Sequence, residues 1–341
     1  MAKQYLITGG AGFIGSNFVS RLLERGEKVT VFDNLSRPGA RLNLEWLRSA
    51  YGDKSFNLMI GDVRDATAIT DAARDANVIV HLAAQVAVTT SVTKPREDFE
   101  INAQGTFNVL EAARASKNNP VVLYASTNKV YGGMDDVKVV EKATRYEYEG
   151  LPLGNPESQP LDFHSPYGCS KGAGDQYVRD YHRIYGLPTV VLRQSCIYGT
   201  RQFGVEDQGW VAWFVIAAVT GRPISIYGDG KQVRDILFVD DLLDMYDLAI
   251  ANIHRCAGQV YNVGGGPDKT IAIWTEFAPL LEKLAGKSLP ISRGDWRPGD
   301  QKVYISDIRK AEKELGWSPK VGVAEGVRRL YDWVSANRPM F

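Results

Sequence analysis

Tyr5-Leu6-Ile7-Thr8-Gly9-Gly10-Ala11-Gly12-Phe13-Ile14-Gly15 runs from a short apolar stretch into glycines at positions 9, 12 and 15. A helical pattern follows, with Ile14, Phe18 and Leu22 on one face. Strand, turn and helix therefore arrive in order. The glycines let the backbone turn tightly and approach a pyrophosphate, whose charge then rests on the positive end of the helix dipole. Gly26 is placed to stop the helix. Val29-Thr30-Val31-Phe32 reads as a second buried strand ending at Asp33. An acid about 20 residues past the glycines is where a dinucleotide site meets the ribose hydroxyls. A glycine turn without a ligand explains the turn but not the acid. A carboxylate at 33 repels the 2′-phosphate of NADP, so NAD is the expected cofactor, with Arg37 as the nearby group able to accept a phosphate.

Beyond this unit, short apolar or β-branched runs alternate with helical stretches. Val78 to Leu82, Val121 to Tyr124, Thr189 to Leu192 and Val260 to Val263 are the clearest strands. The rhythm predicts an α/β chain with a doubly wound parallel sheet, a Rossmann fold. Ligands of such sheets bind past the carboxyl ends of strands. Those ends carry Asp62-Val63, Ala83-Ala84-Gln85, Ser126-Thr127 and Gln194-Ser195. Glu141 to Pro160 is rich in charge, glycine and proline and reads as an irregular excursion. No repeat, low-complexity tract or linker is visible.

Ser165-Pro166-Tyr167-Gly168-Cys169-Ser170-Lys171 places a tyrosine and a lysine four residues apart, hence on one helix face. A lysine ammonium near a phenol favours the phenolate, which makes the tyrosine a usable base well below its ordinary value of about 10. Taken alone, the pair also fits an amphipathic helix with one buried ring and one solvated amine.

At 341 residues the chain is long enough for one large domain or two lobes. Lys plus Arg equals Asp plus Glu at 40 each, which excludes a global pull toward nucleic acid or anionic membrane. Trp210 to Val219 is too short to span a bilayer, and Met1-Ala2-Lys3-Gln4 leads straight into a strand, so a cytoplasmic protein is expected. Cys169, Cys196 and Cys256 are widely spaced, outside any metal pattern, and read as ordinary thiols, with no metal expected. From about Tyr198 onward, aromatics and arginines crowd into loops: Arg201, Phe203, Trp210, Tyr227, Arg234, Trp296, Arg297 and Tyr304. Arginines suit diphosphate and aromatic faces suit a nucleobase, although each also fits a surface ion pair or a core ring. The expected division is a NAD-binding domain of 1–197 with 233–265, and a smaller mixed lobe of 198–232 with 266–341 for a nucleotide-linked substrate.

With these residues in view, the chain resembles an extended short-chain dehydrogenase/reductase, the family of nucleotide-sugar epimerases and dehydratases. The markers are Gly9 to Gly15, Asp33, Asp62-Val63, Ser126-Thr127 with Val130-Tyr131-Gly132, Tyr167 and Lys171, Tyr198-Gly199, Arg234-Asp235 and Arg297-Pro298-Gly299-Asp300. Phe32 to Arg37, Ser126 to Gly132, Asp162 to Lys171 and Asp207 to Trp210 further resemble the subfamily of CDP-tyvelose (CDP-paratose) 2-epimerases.

The resemblance implies residue roles. Tyr167 would take a proton from a sugar hydroxyl, Lys171 would hold the nicotinamide ribose and lower the tyrosine pKa, and Thr127 would hydrogen-bond the reacting oxygen. Gly9, Gly12, Phe13, Ile14, Asp33, Asn34, Ser36, Arg37, Asp62, Val63, Leu82, Ala83, Ala84, Gln85 and Asn102 would line the NAD site, with Tyr167 and Lys171. Gln85, Thr127, Asn128, His164, Arg201, Tyr227, Arg234, Arg297 and Asp300 would meet the substrate. The 4,6-dehydratases of the family place Asp-Glu after the threonine, whereas here the pair is Asn128-Lys129. That favours epimerisation over loss of water. Cys196 stands where many 4-epimerases carry an asparagine that contacts the diphosphate. The reaction implied is inversion of a CDP-linked hexose at C2 through a 2-keto sugar, by a homodimer or homotetramer. A UDP- or GDP-hexose 4-epimerase or net dehydrogenase on the same fold, and a non-catalytic dinucleotide sensor, remain the alternatives. Sensing does not require the set Thr127, Tyr167 and Lys171.

Overall fold

The computed structural model of the protein describes residues 2–297 and 300–341. Pro298 and Gly299 of the Arg297–Asp300 marker lie outside the described residues. The chain divides into two compact units. The first comprises the chain up to Thr127, Ser165–Arg193 and Met245–Tyr261; the second comprises Asn128–His164, Gln194–Asp244 and Asn262–Phe341. Relative to the division expected from sequence, 128–164, 194–197, 233–244 and 262–265 fall in the second unit.

The first unit is built on a seven-stranded sheet. Its spatial order is Gln259–Val263, Thr189–Gln194, Val121–Thr127, Val78–His81, Gln4–Thr8, Lys28–Asp33 and Asn57–Ile60. The four neighbouring pairs from Val121–Thr127 to Asn57–Ile60 all run parallel. Val78–His81 and Thr189–Gln194 are buried at every residue. Strands covered by helices on both faces need this continuous apolar character, which is why they read as unbroken runs. The chain steps outward from Gln4–Thr8 to Asn57–Ile60 and then returns to lie on the other side of Gln4–Thr8. That reversal opens the ligand crevice of a doubly wound sheet at the carboxyl ends of Gln4–Thr8 and Val78–His81.

The helix Phe13–Glu24 buries Phe18 and Leu22, as its spacing predicts, while Ile14 is half-buried. Gly26 ends it at φ 73°. The helix Pro95–Phe99 is followed by a π-helical turn, Glu100–Gln104, before the helix Gly105–Ala115. Such wide turns re-aim side chains, and this one carries Asn102.

In the second unit the strand Val233–Phe238 pairs with Thr270–Ala272 antiparallel and with Val303–Tyr304 and Cys196–Tyr198 in parallel. The excursion near 141–160 contains half of a small hairpin, Val139–Glu141 with Tyr146–Tyr148. The apolar run from Trp210 forms the buried helix Trp210–Thr220. Among the described residues no helix is long and apolar enough to cross a membrane.

Candidate active site

Gly9 leaves its strand at φ 71°, and a Cβ there would lie 2.8 Å from the backbone nitrogen of Ala83. A Cβ at Gly15 would overlap the carbonyl oxygen of Gly9. Only glycine lets loop, strand end and helix approach this closely. Gly12, extended at φ −70° and ψ 179°, starts the helix without a side-chain cap, and the first turn holds no acid. The leading N–H groups thus present positive potential to an anion.

Asp33 ends the next strand. Its Oδ2 accepts the Ala11 N–H at 3.0 Å and its Oδ1 accepts the Leu35 N–H at 2.8 Å. Burial raises its pKa, and these two bonds oppose the rise. Each carboxylate oxygen keeps a further lone pair for a hydroxyl. The uncapped helix start, the glycine cradle and this acid fit a dinucleotide. Around them, Asn34 donates to Asp62 at 3.0 Å, and Arg64 holds the Asp62 carboxyl down at about 2. Leu82 and Ala83 both donate their N–H to the Thr8 hydroxyl at 3.2 Å, which pins the two strand ends together. Ala84 is half-buried, Val63 packs under Gly105, and Ser36 and Arg37 are exposed.

Gln85 and Asn102 face each other rather than open space. The Gln85 N–H donates to Asn102 Oδ1 and Asn102 Nδ2 donates to the Gln85 carbonyl, both at 2.9 Å. Gln85 Nε2 donates to Ala87 O and Asp98 Oδ1, and its Oε1 accepts the Ala87 N–H. The amide read from sequence as a cofactor and sugar contact is thus engaged inside the unit.

Tyr167 and Lys171 share a face of the helix Ser165–Tyr185, and Thr127 ends the strand Val121–Thr127. Ser165 opens that helix in the left-handed region at φ 67°, with its hydroxyl accepting the Gly168 N–H at 3.2 Å. A strained non-glycine residue held this way, two positions before Tyr167, is characteristic of a functional site. The Tyr167 hydroxyl hydrogen-bonds Thr127. Lys171 is 4% exposed, with Nζ 4.2 Å from the centre of the Tyr124 ring.

One expectation is corrected here. Burial pushes Tyr167 up to about 12, against the lowering effect of Thr127. Burial likewise pushes Lys171 down to about 7, against Asp175 and Asp98. Desolvation is the largest influence on both groups, so in the protein alone the phenol lies high rather than low.

The remaining residues belong to the second unit. Arg234 Nη2 meets Asp300 Oδ1 at 2.6 Å, and Arg297 pairs with Asp207 at 3.1 Å while lying 4.0 Å over the Tyr227 ring. The Tyr227 hydroxyl donates to Glu206 at 2.9 Å. Arg201, at φ 67°, sits 5.5 Å from the Trp333 ring centre. Asn128 is buried and His164 is exposed. Lys129 reaches Gln301 at 3.4 Å, and burial and Arg234 push it down to about 8.

Sequence reasoning passed over the acids around Lys171. Asp175 takes both Nε and Nη2 of Arg193 at 2.9 Å and the Ser126 hydroxyl at 2.7 Å. Asp98 takes the Ser170 hydroxyl at 2.5 Å. The available signal was Ser170 itself, lying between Tyr167 and Lys171.

The family described as GDP-mannose 4,6 dehydratase matches residues 6–330. The chain is 46% identical to a CDP-paratose 2-epimerase of Salmonella typhi, across 97% of this chain and 99% of that protein. In structure it is similar to a UDP-glucose 4-epimerase of Thermotoga maritima solved with UDP-glucose, at 30% identity and TM-score 0.82, covering 98% and 99% of the two chains. It is equally similar to a dTDP-glucose 4,6-dehydratase of Streptomyces venezuelae solved with NAD, at 30% identity and TM-score 0.82, covering 99% and 100%. The chain belongs to the GDP-mannose 4,6-dehydratase-like family of extended short-chain dehydrogenases/reductases.

Proposed function

We propose that the protein epimerises a CDP-linked hexose at C2, as in CDP-paratose to CDP-tyvelose or CDP-glucose to CDP-mannose. As a member of its family it is an NAD-dependent enzyme of nucleotide-sugar chemistry. The observation that carries the finer reading is the 46% identity, nearly end to end, to a CDP-paratose 2-epimerase. Asn128-Lys129 supports it, since expulsion of water needs an acid and a base, and the 4,6-dehydratases that the chain resembles carry Asp-Glu at this place. Asn128 does not ionise and Lys129 is no carboxylate.

In this reading Gly9, Gly12 and Asp33 hold the NAD, and the second unit holds the nucleotide sugar through Arg234 and Arg297. NAD held there would supply hydride chemistry at C2, both acceptance and return. Tyr167 removes the proton of the C2 hydroxyl, and Thr127, hydrogen-bonded to Tyr167, shares that oxygen and fixes its place. Burial holds the phenol near 12 and Thr127 opposes that rise; an ammonium at Lys171 would favour the phenolate further. On return the same phenol delivers its proton to the same oxygen, so no net proton is consumed. Inversion arises when the 2-keto sugar turns its other face before reduction.

The test is to incubate the purified protein with CDP-paratose, CDP-glucose and UDP-glucose and to identify the products by NMR. Inversion at C2 of CDP-sugars alone is expected. Inversion at C4, or turnover of UDP-glucose in preference, overturns the assignment of carbon and base.

A further inference from the structure

Asp98 is 1% exposed and lies on the short helix Pro95–Phe99. Its Oδ2 accepts the Ser170 hydroxyl at 2.5 Å, and its Oδ1 accepts Gln85 Nε2 at 2.8 Å and Asn102 Nδ2 at 3.1 Å. Asn102 Nδ2 also donates to Ser170 Oγ at 3.1 Å, which closes the network. Every partner is a donor, which is the shell an ionised carboxylate requires. Among the described residues no lysine or arginine forms a direct ion pair with Asp98. Burial raises its pKa, and the bonds from Ser170 and Gln85 together with the charge of Lys171, next in sequence to Ser170, oppose the rise.

The titratable groups around Lys171 sort cleanly. Tyr167 and Asp175 share its helix, Asp98 faces it from Pro95–Phe99, and His81 and Tyr124 face it from two strands. Burial drives the His81 ring down to about 3, so it is neutral, and burial raises Tyr124, which stays protonated. Asp175 is the larger of the two negative influences on Lys171, but both its oxygens are also engaged by Arg193. Asp98 is the remaining negative charge, and it has no such partner.

We propose that Asp98 is a positioning residue that favours the ammonium form of Lys171 against burial, its carboxylate held in place by Gln85, Asn102 and Ser170. The proposal rests on the reading of Tyr167 and Lys171 as the reacting pair, and it concerns their charge before any sugar arrives. Without Asp98, Lys171 becomes neutral at lower pH and stops favouring the phenolate.

The test is titration of the full chain in the presence of NAD. The lysines carry 13C at Cε and the Lys171 signal is identified by its loss in Lys171→Met. In Asp98→Asn, which keeps shape but removes charge, the Lys171 midpoint falls by about one pH unit. Reciprocally, with 13C at the aspartate carboxyls, Lys171→Met raises the Asp98 midpoint by a similar amount. With a working substrate, the alkaline limb of the Asp98→Asn rate profile moves down by the same interval. A folded Asp98→Asn with an unmoved Lys171 midpoint overturns the proposal. Should that variant not fold, an unmoved Asp98 midpoint in Lys171→Met overturns it instead. Both titrations proceed without a sugar, so an incorrect substrate assignment leaves their outcome untouched.

Discussion

In the first unit Lys171 is buried against a tyrosine ring, while in the second unit Arg234 and Arg297 each meet a carboxylate directly, Asp300 and Asp207. The two treatments of a cation have different consequences. Burial without a direct ion pair moves pKa values, which is what proton transfer needs. Pairing fixes a geometry and leaves the charge in place, which is what anion recognition needs. The family's chemistry belongs to the first kind of site, and the second kind suits a phosphorylated ligand that shares or displaces the carboxylates.

The contrast can be broken at its strongest point first. Tyr167→Phe removes the proton carrier and should lower kcat by about 10²–10⁴-fold, with KM little changed in steady-state assays. Asp175→Asn leaves Arg193, 3% exposed at its side chain, charged and half-satisfied in the core. A loss of about 3–5 kcal/mol in stability is expected from denaturant unfolding, independent of substrate. Arg297→Ala should instead raise KM, by roughly 10–100-fold if a charge-assisted hydrogen bond to diphosphate is lost, and spare kcat.

The pH dependence of stability separates burial from pairing. Lys171, at about 7 in the folded protein, lies below its ordinary value of 10.5. The folded state therefore binds fewer protons here than the unfolded chain between these values, so wild type gains stability relative to Lys171→Met as pH rises from 7 toward 10.5. Below 7 the difference levels off. Thermal melts of the two proteins across this range check the sign. The smallest effect is reserved for Arg74→Ala, whose pair with Asp71 is solvent-exposed on both sides. It should change stability by less than about 0.5 kcal/mol.

The legible parts of the molecule were those set by local backbone geometry. Gly9, Gly12 and Asp33 sit on one strand–turn–helix–strand unit, and Tyr167 and Lys171 on one helix, so spacing alone placed them. The sheet followed from the same rhythm, with the edge strand Asn57–Ile60 the least conspicuous because its apolar run, Leu58-Met59-Ile60, is only three residues long. Gln85, Asn102 and Asp98 were harder because their partners are distant: Ser170 lies 72 residues from Asp98. A side chain's partners depend on tertiary placement, so the sequence marked Gln85 as a ligand contact but gave no sign that its amide braces Ala87 and Asp98. The π-turn at Glu100–Gln104 likewise has no signature in periodicity. In the second unit, arginines and aromatics marked the character of the lobe, but their pairing with Asp300, Asp207 and Glu206 came only from the structure.

The most direct measurement follows CDP-paratose carrying deuterium at C2 through turnover in ordinary water, with the epimers separated and analysed by NMR and mass spectrometry. Oxidation and reduction at one carbon, with Tyr167 moving only the hydroxyl proton, predict an inverted product that keeps its deuterium at C2. Loss of the deuterium to solvent would show that a base removes it from carbon, and would contradict the account.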